Sequence, residues 1–230
     1  AVALNSLPAR STLALLAGNP FSSGGNPAYM LADQGGTFDA TASVVQDWGM
    51  DPSSASSISP ELVAFTQRLG SLSGIVSSPG IGGVYLMDGG TLRVISSPTV
   101  LGMWGGGSPN VDNISNDLFN SFSTGSAVST NQATSGGNSY FVDNSGIYSL
   151  PGILAQIYPH GNQTAISSAL VNATPNAGVI SRFISSPGVP GIFMVDNSQR
   201  HVLGSPGLLQ SYHAAGETAY TTSLSQAGMN

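Results

Sequence analysis

The sequence predicts a mainly β protein with short helices, built from four copies of one unit of about 55 residues. Three landmarks recur in step along the chain. An aromatic residue followed by apolar residues and Asp recurs over 29–33, 85–88, 140–143 and 193–196. A single aromatic residue follows 18 or 19 positions later, and then a serine precedes a short apolar stretch: Trp48, Trp104, Tyr158 and Tyr212, then Ser59, Ser115, Ser167 and Ser223. Three landmarks in register make coincidence a poor explanation, so residues 1–230 are interpreted as a single repeat domain.

Each unit opens with two predicted strands joined by a tight turn. The apolar run over 83–87 ends in Asp-Gly-Gly, and the run over 193–195 ends in Asp-Asn-Ser. Both endings are hairpin turn signals. The second strand is predicted over 92–95 in one unit and over 200–203 in the last.

Two short helices are predicted after the hairpin. Ser97 and Ser205 each precede a proline, as expected for a helix N-cap followed by proline at the first helical position. Ser59-Pro60-Glu61 marks a second helix with an acid in its first turn, and Ser223 with Gln226 fits a capping box. A third strand, over 179–184 in one unit, is predicted to close each unit.

The four units are predicted to close into a ring. The last unit stops inside its second helix, and residues 1–28 resemble the parts that it lacks. Joining the N- and C-terminal segments gives a four-bladed β-propeller without an unpaired sheet edge. The alternative is an open repeat array. The predicted boundaries are 29–84, 85–139, 140–192 and 193–230, with 1–28 completing the last unit.

Composition excludes several kinds of partner. Only 7% of the residues are charged, there is no Lys, and the net charge is −6. Nucleic-acid binding needs clustered Lys and Arg, so it is not expected. The longest apolar run, near 13–17, is too short to cross a membrane, so no membrane insertion is predicted. Without Cys there is no disulfide and no thiolate metal site.

One unit resembles a repeat known from other proteins. Residues 84–98, Val-Tyr-Leu-Met-Asp-Gly-Gly-Thr-Leu-Arg-Val-Ile-Ser-Ser-Pro, look like a repeat of secreted bacterial proteins, especially of actinobacteria, and residues 193–202 are similar. The resemblance implies an extracellular or cell-surface location and attachment or wall binding instead of chemistry. The first unit lacks the Arg, and Ser149 stands near its position in the third. The blade count is also that of hemopexin-like propellers, but their Asp-Ala-Ala-Phe strand is absent here.

Carboxylates and arginines recur at the strand ends. Asp88, Asp143 and Asp196 place one carboxylate in each of three units. They fit either a turn in which the side chain binds backbone N–H groups or a ring of carboxylates that lines a channel or binds sugar hydroxyls or a cation. Arg93 and Arg200 follow on the second strand, where they either pair with these carboxylates or clamp a carboxylate-bearing glycan. Asp-Gly-Gly and Asp-Asn-Ser supply too few oxygen ligands for a calcium loop, so no metal is predicted.

Aromatic and histidine side chains complete the candidate ligand-binding set. Trp104 fits either a sugar-stacking platform or core packing at helical spacing. His160 and His213 closely follow the repeat aromatic residues, but no HxH or HExxH spacing supports a metal site. No Gly-x-Ser-x-Gly elbow occurs, so no enzyme and no catalytic residue is predicted.

The sequence therefore favours an extracellular recognition or anchoring module that binds cell-wall or surface glycan. The alternative is a structural subunit of a surface layer, filament or phage appendage, whose partners are copies of itself. A hydrolase ranks third. No cofactor is predicted.

Overall fold

The computed structural model describes residues 20–22, 29–59, 63–64, 66–158, 162–214 and 220–229. Within these residues the protein is mainly β with short helices, as the sequence predicts. Nineteen strands form four sheets, and every strand of a given sheet comes from one continuous stretch of chain. We call these stretches the first to fourth repeats.

The first and second repeats each contain a five-stranded sheet. The first comprises β1 (Phe21–Ser22), β2 (Tyr29–Asp33), β3 (Gly36–Ala40), helix α1 (Ala42–Asp47), a 3-10 turn (Pro52–Ser54), β4 (Ser56–Ser57) and β5 (Gln67–Ser71). The second comprises β6 (Ile75–Ser78), β7 (Ile81–Asp88), β8 (Thr91–Val94), α2 (Pro98–Gly105), β9 (Asp112–Asn113), α3 (Asn116–Asn120) and β10 (Ser123–Thr124).

The third and fourth repeats follow the same order. The third comprises β11 (Gln132–Ser135), β12 (Asn138–Asp143), β13 (Gly146–Leu150), α4 (Gly152–Ile157), β14 (Thr164–Ala165), α5 (Ser168–Ala173) and β15 (Asn176–Val179). The fourth comprises β16 (Phe183–Ser186), β17 (Val189–Asp196), β18 (Gln199–Val202), α6 (Pro206–Ala214), β19 (Thr221–Ser223) and α7 (Gln226–Met229). Its sheet has four strands among the described residues.

One pairing pattern governs all four sheets. The first three strands of each repeat form an antiparallel meander. A short fourth strand pairs in parallel with the first strand of its own repeat. In the first three repeats a fifth strand pairs in parallel with the third strand, on the opposite edge of the sheet.

The predicted hairpins form at the predicted turns. Both residues of each two-residue turn have positive φ, at Gln34-Gly35, Gly89-Gly90, Asn144-Ser145 and Asn197-Ser198. This geometry belongs to the type I′ turn, whose twist matches that of the flanking strands. Each turn has Gly or Asn in at least one of its two positions, and these residues tolerate positive φ better than others, so the local sequence favours a turn at each site.

The structure corrects two sequence-based predictions. The predicted third strand over 179–184 contains the end of β15 and the start of β16, which belong to different sheets. The chain therefore passes from one repeat to the next inside that apolar run. The predicted cap Ser223 lies in β19 instead, and Ser225 precedes α7, where its hydroxyl oxygen accepts a 3.0 Å hydrogen bond from the N–H of Gly228.

The chain divides into two compact units. Unit 1 contains residues 1–94 and 110–126, and unit 2 contains residues 95–109 and 127–230. The core of unit 1 is formed by Leu31, Phe38, Trp48, Val76, Met87, Leu92, Ile114 and Leu118. The core of unit 2 is formed by Phe141, Leu150, Tyr158, Ile180, Ile184, Val195, Leu224 and Met229. None of the helices among the described residues has the length and apolar character needed to cross a membrane.

Candidate functional site

Two of the repeated strand-end carboxylates fix a helix start in the following repeat. Asp33 Oδ2 accepts a 2.7 Å hydrogen bond from the N–H of Ser115, the N-cap residue of α3. Asp143 Oδ2 accepts a 2.6 Å bond from the N–H of Ser225, and its Oδ1 accepts from the Ser225 hydroxyl. In both cases the partner lies 82 residues further along the chain. These side chains therefore bind backbone N–H groups across a repeat boundary instead of within their own turn.

The other two strand-end carboxylates form ion pairs. Asp88 accepts a 2.6 Å hydrogen bond from Nε of Arg93, and its side chain is only 1% exposed. This is the intra-hairpin Asp–Arg pair that the sequence offers as one of its two interpretations. Asp196 pairs at 3.1 Å with Arg182, from the linker between repeats, and not with Arg200. The fourth repeat has Asp and Arg at a similar spacing to the second, but in the fourth these two residues do not form an ion pair with each other.

Arg200 has a different environment from Arg93. It is exposed on β18, and it forms no ion pair with another residue that the structure describes. Together with Gln132 and Ser198, it lines a cavity of about 190 Å³ in unit 2. The apolar wall of this cavity is formed by Met103, Phe141, Tyr158, Ile184, Val195 and Met229.

Three of the four repeat aromatic residues, Trp48, Trp104 and Tyr158, are buried, which favours the packing interpretation over sugar stacking for them. Trp104 is 5% exposed, and its indole Nε1 donates a 3.0 Å hydrogen bond to the carbonyl of Thr130. Trp48 is 1% exposed and donates in the same way to Ser73, and the Tyr158 hydroxyl donates to Ser181. Each aromatic side chain binds a carbonyl just before the next repeat begins.

The candidate histidines fall largely outside the described residues. His160 lies outside them, and His213 lies in helix α6 but its side chain is outside the described part. His201, which the sequence did not select, is exposed on β18. Among the residues that the structure describes, no group of three His, Cys, Asp or Glu side chains could hold a metal ion.

Sequence reasoning missed two buried acids in unit 1. Asp47 ends α1 and is 1% exposed, and burial raises its pKa to about 8. The N–H of Gly89 opposes that rise by donating a 3.2 Å hydrogen bond to its carboxylate, while the charge of Asp88 adds to it. The sequence did contain a signal for burial of Asp47. The residue directly before the repeat aromatic residue is apolar in the next two repeats, where it is Met103 and Ile157.

The second buried acid is Asp112, in the short strand β9. Its Oδ2 accepts a 2.5 Å hydrogen bond from the N–H of Ser73, which precedes the first strand of the repeat. Burial raises the pKa of Asp112, and the hydrogen bonds from Ser73 and Asn110 oppose that rise. Thr222 accepts the matching bond from the N–H of Ser181 in the fourth repeat, so a hydroxyl serves the same structural purpose there.

Comparisons with known proteins leave the family unassigned. No protein-family model matches the chain, and no curated protein matches it. Two solved structures give partial superpositions. One is a chain of the periplasmic assembly from the ESX-5 inner membrane complex, with 11% identity, a TM-score of 0.21 and coverage of 67% of this chain and 57% of that one. The other is a chain of an intact ESX-5 inner membrane complex, with 13% identity, a TM-score of 0.21 and coverage of 73% and 52%.

These two superpositions establish neither a shared fold nor a shared activity. This chain spans little more than half the length of each matched chain, and a TM-score of 0.21 is too low to equate the folds.

Proposed function

We propose that this chain is an extracellular or cell-surface recognition and anchoring module that works by binding, not by catalysis. One observation carries the proposal. Large apolar side chains exposed to solvent concentrate in unit 2 among the described residues: Ile153 at 72%, Val202 at 66%, Leu208 at 47%, Val179 at 45% and Tyr220 at 42%. Among the described residues of unit 1, Val94 is the only large apolar residue that is exposed, at 36%. We infer that these side chains belong to a protein interface on unit 2, which requires that they form a contiguous patch.

The surface chemistry is consistent with such an interface. With only 7% charged residues, the protein solvates itself mainly through neutral polar groups. Depletion of charge at the contact and enrichment in apolar side chains are typical of the central part of protein interfaces. A protein partner, including a copy of the same chain, is therefore the first ligand class in this proposal.

Glycan binding is the second candidate. The resemblance of residues 84–98 to surface repeats supports it, and exposed Arg200 could clamp a carboxylate-bearing sugar. The aromatic platforms that pyranose rings favour would have to come from residues other than Trp48, Trp104 and Tyr158, because these three are buried.

The test is binding to isolated cell envelopes that have been treated in two ways. We expect protease treatment of the envelopes to abolish retention of the protein, and periodate oxidation of their sugars to leave retention unchanged. The opposite pattern would establish the glycan candidate, and no retention on untreated envelopes would contradict the proposal. Concentration-dependent mass by light scattering shows whether the partner is another copy.

A pair of variants locates the surface. Ile153→Glu combined with Leu208→Glu should lower envelope retention at least about tenfold, because a charge at an apolar contact must be desolvated. Val94→Glu in unit 1 is the matched control, and its retention should equal that of the unchanged protein. Equal loss in both variants would show that the apolar residues of unit 2 are not the contact.

The arrangement of the four sheets belongs to the same proposal. A closed four-bladed propeller requires a segment of the same chain to pair with the outer edge of β18, whereas an open array leaves that edge to another molecule. All four residues of β18 are exposed, which supports the open array. Amide hydrogen exchange at β18 in the free monomer separates the two arrangements, since a closed ring would protect these amides.

A further inference from the structure

Among the residues that the structure describes, the fourth sheet lacks a strand that the other three sheets possess. In each of the first three repeats a fifth strand pairs in parallel with the third strand: β5 with β3, β10 with β8, and β15 with β13. The equivalent third strand in the fourth repeat is β18. Within the described residues β18 pairs only with β17 and forms the edge of its sheet.

The backbone of β18 presents hydrogen-bonding groups to this open edge. In the third repeat, Ile147 donates its N–H to Pro175 and Ser149 accepts from Ile180. In the second repeat, Leu92 has the position of Ile147, and its carbonyl accepts a hydrogen bond from the fifth-strand side. In the first repeat, Asp39 has the position of Ser149, and its carbonyl does the same. Counting from the end of each hairpin turn, these positions correspond to Arg200 and Val202. The N–H of Leu203 points towards β17 and donates to the carbonyl of Ile192. Because backbone groups alternate in direction along a strand, the N–H and carbonyl groups of Arg200 and Val202 point away from β17.

We propose that β18 accepts a parallel strand from a partner protein, and that this strand carries an acidic residue opposite Arg200 and a glycine opposite His201. The inference rests on the proposed binding function of unit 2 and names the site within it. Adding a strand to a sheet edge is an established mode of protein recognition, in which backbone hydrogen bonds give affinity and side chains give specificity.

The parallel direction is incompatible with one kind of symmetric dimer. Two copies of β18 related by a two-fold axis perpendicular to the sheet would pair antiparallel, because such an axis reverses strand direction. All three fifth strands that the structure describes run parallel to their neighbours. An occupant that follows the pattern of the other three sheets is therefore not a second β18 related by such an axis.

The glycine requirement follows from the register of the existing fifth strands. Gly70 lies opposite Phe38, and Gly178 lies opposite Tyr148, each at an irregularity in the pairing. Their φ angles are +118° and +95°, in the region that disfavours residues with a side chain. The equivalent position on β18 is His201.

The acidic requirement follows from Arg200. The equivalent residues in the first three repeats are uncharged and buried: Thr37, Leu92 and Ile147. Arg200 is instead exposed, lines the unit 2 cavity, and has no ion-pair partner among the described residues. The chain's own fifth strands, Gln67–Ser71, Ser123–Thr124 and Asn176–Val179, contain no carboxylate. Charge complementarity thus favours a strand that differs from these three by carrying a carboxylate opposite Arg200.

The test uses two synthetic peptides that copy residues 174–182, which include β15. One has the chain's own sequence and the other carries Asn176→Asp, at the position that would face Arg200. We expect the acidic peptide to bind the whole protein about tenfold more tightly at low salt, measured by fluorescence anisotropy. In Arg200→Gln the two peptides should bind equally, which completes a double-mutant cycle on this one ion pair. No binding of either peptide, or an unchanged preference in Arg200→Gln, overturns the proposal.

Two variants of the edge separate strand addition from ordinary surface binding. Val202→Pro removes one outward N–H, and the pairing of β18 with β17 should remain because that N–H does not face β17. We expect it to weaken the acidic peptide at least about tenfold, whereas Val202→Thr keeps the N–H and should bind within about twofold of the unchanged protein. Equal binding by both variants overturns the proposal.

Amide exchange decides between a foreign strand and the chain itself. We expect the amides of Arg200 and Val202 to exchange freely in the dilute monomer and to become protected by the acidic peptide. Protection in the free monomer, or protection that rises with protein concentration alone, overturns the proposal in favour of an internal strand or a second copy. Envelope retention that persists while the peptides fail would contradict only this inference and leave the proposed function standing.

Discussion

At the scale of single residues, Asp47 carries a carboxyl group into the interior of unit 1. Burial raises its pKa to about 8, well above the value of 3.8 of a free side chain. Between those two values the folded protein holds a proton that the unfolded chain has released. Stability therefore falls as pH rises through this window, by up to about 1.4 kcal/mol per pH unit, and levels off above pH 8.

Replacing Asp47 by Asn should remove this dependence. We expect the free energy of unfolding of Asp47→Asn, relative to the unchanged protein, to be higher at pH 8 than at pH 5. Urea titrations followed by tryptophan fluorescence at both pH values measure the difference. The raised pKa of Asp112 acts in the same direction, so some pH dependence should persist in this variant.

Asp51 provides the matched control for this prediction. It lies four residues further on, is fully exposed, and has a pKa lowered by hydrogen bonds from Ser53. Its stabilising effect is complete above pH 4 and is lost only at more acidic pH. Asp51→Asn should therefore keep the profile of the unchanged protein between pH 5 and pH 8. A profile of Asp47→Asn that ran parallel to it would contradict the buried-acid explanation.

At the scale of elements, successive repeats are joined by bonds that recur at equivalent positions. The last carbonyl of α1 accepts the N–H of Gly90 at 2.9 Å, Met103 near the end of α2 accepts from Ser145, and Ile157 at the end of α4 accepts from Ser198. Each bond connects the first helix of one repeat to the hairpin turn of the next. The buried aromatic side chains add a second bond across the same boundaries.

The contact between Asp143 and Ser225 can be tested by mutation. Asp143→Ala leaves the N–H of Ser225 without its acceptor, and we expect a loss of about 1–3 kcal/mol in the free energy of unfolding. Asp117→Ala is the control, because Asp117 is an exposed acid in the first turn of α3, and it should change stability by less than about 0.5 kcal/mol. Thermal unfolding of both variants makes the comparison; equal loss would mean that Asp143 contributes only charge.

The elements that the sequence predicts correctly are those specified by neighbouring residues. The hairpins follow from an apolar run and two turn residues that accept positive φ, and α2 follows from Ser97, whose hydroxyl accepts the N–H of Val100. The two-residue strands β4, β9 and β14 escaped prediction because parallel partners elsewhere in the repeat create them. The binding of Asp33 to Ser115 was equally inaccessible, since 82 residues separate the two and no local pattern signals the pairing.

At the scale of the whole molecule, each compact unit contains one of the two tryptophans of the chain, Trp48 in unit 1 and Trp104 in unit 2. Both are buried, so each reports on the packing of its own unit. In repeat proteins, stability is approximately a sum of terms within repeats and between neighbours. A core substitution should therefore be felt first in the unit that contains it.

Ile184 offers the test. It is 2% exposed in the core of unit 2, and Ile184→Ala should cost about 2–5 kcal/mol. Each tryptophan is followed alone, Trp104 in a Trp48→Phe background and Trp48 in a Trp104→Phe background. We expect Ile184→Ala to lower the denaturant midpoint more when it is measured with Trp104 than when it is measured with Trp48. Val76 occupies the equivalent strand position in the core of unit 1, and Val76→Ala should reverse the order. Identical shifts from both tryptophans would show that the four repeats unfold as one cooperative body, because the bonds between repeats would then outweigh the division into units.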